Sequence, residues 1–172
     1  MKLTVREITI FGTIAALMYA SKLVMEVFPN VHLIGVFVVA LTVVYRKKAL
    51  YPIYTFVVIC GLFYGFSAWW IPYLYIWTVL WGAVMLLPRN IKPCIKPLVY
   101  MSVCALHGLL YGTLYAPVHI LLYGLNVKAA IAWIVAGLPW DVVHCVGTFF
   151  CGALICPVIK ALKLGEQYGR RG

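Results

Sequence analysis

Long apolar runs alternate along this chain with short breaks at "FPN", "YRKK", "SAWW", "PRNIKPCIK" and "GLNVK". Each break combines Pro, Gly, Asn or clustered charge, which are the residues that end helices. The apolar spans left between them lie near 5–28, 31–45, 49–66, 71–88, 97–123 and 138–162. A helix needs roughly 20 apolar residues to cross a hydrocarbon core of about 30 Å, so the pattern predicts six transmembrane helices. The segment "VKAAIAWIVAGL", 127–138, is too short to cross, and Gly137 and Pro139 divide it from the last span. It reads as a short interfacial or re-entrant helix. The expected fold class is all-α integral membrane: one six-helix bundle over residues 1–172, with no attached soluble domain. The opening "MKLTVREITIFGTIAALMYA" has the outline of a secretory signal, but "SKLVMEVFPN" continues the same helical run. It reads as an uncleaved first span.

Composition agrees with this reading. Of 172 residues 65% are apolar and four acidic, and the mean hydropathy of +1.01 is far above that of a soluble domain. A net charge of +10 raises the question of nucleic acid, yet the basic residues sit in clusters between apolar runs rather than along one stripe. Topology accounts for them. With the N-terminus inside, one face receives Lys2, Arg6, Arg46, Lys47, Lys48, Arg89, Lys92, Lys96, Lys160, Lys163, Arg170 and Arg171, and the other only Lys22 and Lys128. The positive-inside rule then puts both termini in the cytoplasm, and the partner implied is a membrane, not nucleic acid. The cysteines, Cys60, Cys94, Cys104, Cys145, Cys151 and Cys156, form no CxxC pair and read as packing residues, so no metal site is expected.

Polar side chains gather toward the outer ends of these spans. "AGLPWDVVHCVG", 136–147, puts Asp141 and His144 one turn apart in hydrocarbon. A charge in a span costs a few kcal/mol even on the lenient insertion scale and is a functional candidate by default. Two readings stay open: a role in holding a ligand, or a cap on the helix begun by Pro139 with His144 as its i,i+3 partner. Asn30, His32 and His119 lie at the same outer level, Lys22 and Glu26 have ion-pair spacing, and His107 sits deeper as a core histidine. Trp69, Trp70, Trp133 and Trp140 also fall outside, and Tyr73, Trp77 and Trp81 form an i, i+4, i+8 stripe. This is an interfacial belt and packing stripe, or a stacking surface for a planar small molecule. Gly12, Ala16 and Ala20 make a flat strip on the first span, suited to close helix approach.

No GxxxxGK[ST], HExxH or GxSxG motif occurs. A single intramembrane acid and the lack of a repeat between the halves do not make a self-sufficient pump, so a transporter built on this chain takes its energy from elsewhere. The order "AALMYASKLVMEVFPNVHLIG", "YRKKALYPIYTFVVICGLFYGFSAWWIPYLYIW" and "AGLPWDVVHCVGTFFCGALICPVIKAL" resembles the S component, the membrane substrate-binding subunit, of energy-coupling factor (ECF) transporters. The resemblance covers nearly the whole chain. It implies a six-helix bundle in the bacterial cell membrane that captures a vitamin, cofactor precursor or similar micronutrient from outside. The bundle would deliver this cargo through a coupling subunit and two ATPase subunits. It also implies docking through an AxxxA strip, matched by Ala16 and Ala20 with Gly12 extending it, and an outer pocket among the last three helices and the first and third outer loops. The substrate does not carry over: a corrinoid precursor, a modified nucleobase and a vitamin stay open. The expected outer pocket comprises Asn30, His32, Trp69, Trp70, Tyr73, Trp77, His119, Trp133, Trp140, Asp141 and His144, with no resident cofactor. The alternatives are a membrane scaffold without a small-molecule substrate and, least favoured, an enzyme using Asp141 and His144, for which no nucleophile or metal set is present.

Overall fold

The computed structural model describes residues 3–168 and, of Tyr168, the backbone only. Lys2, Arg170 and Arg171, counted above for the basic face, lie outside the described residues. Within them the fold is all-helical, 81% helix without strands, and of membrane-protein character. The helices are α1 (Val5–Met25), α2 (Ile34–Tyr45), α3 (Leu50–Tyr64), α4 (Tyr73–Leu86), α5 (Lys96–Leu109), α6 (Tyr111–Tyr123), α7 (Val127–Cys151) and α8 (Ile155–Tyr168). Tight 3-10 turns join α2 to α3 at Arg46–Ala49 and α7 to α8 at Gly152–Leu154.

Local signals start and stop these elements. Thr4 caps α1 reciprocally with Glu7, each side chain bonding the other's backbone N–H. Asn126 caps α7 through the Ala129 N–H at 2.9 Å. Gly124, left-handed at φ 63°, ends α6. α2 is apolar on every side and accordingly runs through the centre of the bundle, with eight of its twelve residues buried. It packs on α4 and α8, while α1 packs on α3 and α5 on α7.

Three stretches are long and apolar enough to cross a membrane: Val5–Met25, Lys96–Tyr123 and Val127–Gln167. The helices found within the expected spans 31–45, 49–66 and 71–88 have 12, 15 and 14 residues, below the usual crossing length. The span expected at 97–123 falls within the second of these stretches, which bends at Leu110, whose ψ of 1° lies outside the helical range, where α5 gives way to α6. One expectation is corrected. The short interfacial helix expected at 127–138 is not separate, because α7 runs on through Gly137 and Pro139. Proline removes one backbone bond, but ending a helix in apolar surroundings strands a whole turn of N–H and C=O groups. Continuing through Pro139 is the smaller cost.

Candidate functional site: an aromatic and histidine cavity

At the end of the bundle where α1 finishes, a cavity of about 320 Å³ opens. Its rim is Lys22 and Met25 of α1 with Glu26 and Phe28 to His32 of the following connector, and its walls are Tyr73, Tyr111, Tyr115 and His144. Asn30 turns the connector with φ 59°, a left-handed conformation that asparagine tolerates better than most residues. That turn sends His32 inward. Its ring lies 4.7 Å from His144 and 5.9 Å from Trp77, measured between centroids.

The ring cluster is closed from behind by Trp77, 1% exposed, with His107 5.7 Å and Tyr111 6.1 Å from it. His107 is partnered, its Nε2 lying 3.1 Å from the Ile76 carbonyl oxygen. His32 Nδ1, His144 Nε2 and Trp77 Nε1 are buried with no partner in the protein. A buried unpaired polar atom costs about 1–3 kcal/mol, so three in one cluster are a standing invitation to a hydrogen-bonding guest. The charges at the rim satisfy each other. Lys22 Nζ donates to Glu26 at 2.8 Å and lies 4.0 Å above the Tyr64 ring, whose hydroxyl also donates to Glu26. What remains inside is an aromatic chamber with a few unpaired polar atoms, chemistry suited to a small planar molecule.

Of the residues expected from sequence, Asn30, His32, Tyr73 and His144 line the cavity. Trp77 stands behind His32, and Trp69 sits 5.4 Å from Tyr73. The others lie elsewhere. Trp70 donates its indole N–H to the Val57 carbonyl at 2.8 Å, fastening the α3–α4 connector. His119 and Trp133 stack on each other at 4.5 Å, bridging α6 and α7. Trp140 is 59% exposed.

Asp141, 5% exposed, does not cap its own helix. Its Oδ1 accepts from the Gly112 N–H at 3.0 Å, in the first turn of α6, where backbone donors have no helical partner. Its Oδ2 is buried without a partner. Close approach makes this reach workable: a Cβ on Gly112 would fall 2.6 Å from Asp141 Oδ2, and one on Gly108 would fall 2.8 Å from Thr148 Oγ1. These two glycines let α7 lie against the α5–α6 hinge.

Tyr111 and Tyr115 were not among the expected residues. Their signal was present: Tyr111, Tyr115, His119 and Tyr123 recur every four residues, and in the structure neighbouring rings of this series touch at 5.2, 6.3 and 5.3 Å. Tyr115 donates to the Trp69 carbonyl at 3.0 Å and Tyr75 of α4 to the Leu114 carbonyl, so tyrosines fix this wall in place. Among the described residues no three His, Cys, Asp or Glu side chains converge as a metal-binding set. Gly12, Ala16 and Ala20 are all exposed along α1, and a Cβ on Gly12 would meet nothing within 4 Å. No protein-family model, curated protein or solved structure matches the chain.

Proposed function

We propose that the chain is the substrate-binding membrane subunit of an ATP-driven importer of the ECF type. In this reading it has six spans with both termini cytoplasmic, sits in the bacterial plasma membrane, and captures a micronutrient such as a vitamin or cofactor precursor at the outer face. The observation that carries the reading is the cavity at one end of the bundle, lined by His32 and His144 with unpartnered ring nitrogens and backed by Trp77, whose indole N–H is also unpartnered. Its volume of about 320 Å³ suits a small heterocycle, and the paired rim charges leave no free cation to demand an anionic one. The clustering of basic residues at the other end of the helices supports the orientation.

The test is native mass spectrometry of the chain purified in mild detergent. A bound metabolite of a few hundred daltons is the expected result; a chain that carries nothing, and takes up nothing from a cell extract, favours the scaffold reading instead.

Delivery needs a partner, and the exposed Gly12, Ala16 and Ala20 strip supplies a flat helix face for the coupling subunit. Ala16→Leu and Ala20→Leu are expected to abolish uptake in cells that also carry the coupling and ATPase subunits, and to leave metabolite binding intact. Normal uptake in both variants would sink the docking assignment.

A further inference from the structure

We propose that the basic end of the bundle holds a second site, for a phosphate-class anion, supplied by the headgroup of an anionic phospholipid. It is independent of the importer reading. There Arg46, Arg89, Lys96 and Lys163 line a cavity of about 300 Å³ together with Tyr100, and no acidic residue lines it. The four cations come from four separate elements: the α2–α3 turn, the segment after α4, the first residue of α5, and α8. Their convergence is therefore made by the fold and not by one run of basic sequence.

Nothing in the described residues neutralises them. The ion pairs there join Lys22 to Glu26 and Lys48 to Glu7. Glu166 borders a neighbouring hollow with Tyr45 and Lys163 and hydrogen-bonds Tyr45. Four like charges around one hollow repel, and an anion carrying several oxygens relieves all of them at once.

Arg46 supplies a separate argument. Its φ of 54° with ψ of −120° is a conformation that residues other than glycine rarely adopt. The surroundings enforce it: Trp81 donates its indole N–H to the Arg46 carbonyl at 3.0 Å, and Arg46 Nη2 donates to the Met85 carbonyl at 3.2 Å. Strain of this kind persists where neighbours over-determine the backbone, and it clusters at ligand clamps. The result is a guanidinium on the cavity wall whose Nε is buried with no partner. A planar guanidinium fork matches phosphate oxygens better than an ammonium does.

Position argues for a lipid. The cavity lies where the apolar helices end, Val84 and Leu87 form its apolar wall, and Arg89 and Lys163 are exposed enough to admit a headgroup from the side. Basic pockets between membrane helices are recurrent sites for acidic headgroups.

The experiment uses the whole chain in nanodiscs of phosphatidylglycerol or phosphatidylcholine, with lipid retention read by native mass spectrometry after release. A calorimetric titration with inorganic phosphate in detergent is the second arm. Phosphatidylglycerol is expected to be retained over phosphatidylcholine by at least about tenfold, a preference that falls close to one in the Arg89→Gln/Lys96→Gln double variant. Lys92→Gln, outside the cavity, should keep the preference. Phosphate binding that the double variant loses, without any lipid preference, would also support the anion site and assign it to a soluble phosphate. Equal retention of the two lipids with no phosphate binding overturns the proposal, as does a preference that survives in the double variant.

Discussion

Asp141→Ala is expected to destabilise the chain by about 2 kcal/mol, the usual loss when a charged partner is removed from a buried N–H. The Asp141 carboxylate takes the Gly112 N–H at 3.0 Å, and α6 begins at Tyr111, so this donor is one that the helix itself leaves unsatisfied. Alanine would orphan it at the α5–α6 hinge and open a gap beside Gly112, against which the Asp141 carboxylate packs. Asp141→Asn keeps an acceptor oxygen and should lose roughly half as much. Gly112→Ala attacks the same contact from the other side, since its new Cβ would fall 2.6 Å from Asp141 Oδ2. The two changes must therefore couple: Gly112→Ala should be milder once Asp141 is already alanine. Thermal unfolding of the four proteins in one detergent completes the cycle. Strictly additive losses, or an Asp141→Ala protein as stable as the parent, would show that the contact does not hold the hinge.

The same residue shows where sequence stops being informative. Helix breaks are written locally: Gly124 and Asn126 stop α6 and cap α7, and the 3-10 turn at Arg46–Ala49 falls on the "YRKK" break. Burial of α2 follows from its unbroken apolar run. The acid in "PWDVVH" stood out because charge in hydrocarbon is costly, but its partner is a backbone N–H 29 residues away, which no spacing encodes. Pro139 misled for a related reason. It is a helix breaker in water, and in apolar surroundings the remaining backbone bonds carry α7 through it. Aromatic residues gave the level of the site but not its membership. Trp70 and Trp133 were expected in the same pocket as Trp77, yet one is spent on the Val57 carbonyl and the other on His119. Which way a ring faces depends on the neighbour across the bundle, and that neighbour belongs to another helix.

On the proposed function, Trp77→Phe and His144→Leu are each expected to weaken binding of the metabolite sought by native mass spectrometry while leaving the chain folded. Phenylalanine keeps most of the aromatic packing against His32, His107 and Tyr111, and removes the Nε1 donor that has no partner in the protein. Leucine likewise fills most of the space of His144, 2% exposed, and removes its unpaired Nε2. Because neither atom holds anything in the fold, each change should be near neutral for stability, whereas one lost hydrogen bond to a buried guest weakens binding by about tenfold. The double variant should approach about a hundredfold if the two groups act on the same guest from different sides. Trp140→Phe is the internal control, since Trp140 is 59% exposed and away from the cavity. Occupancy by native mass spectrometry and melting temperature in the same detergent separate binding from folding. A metabolite lost only in variants that also melt early would mark these residues as core. One lost equally in Trp140→Phe would move the binding site out of this cavity, to the exposed face of α7.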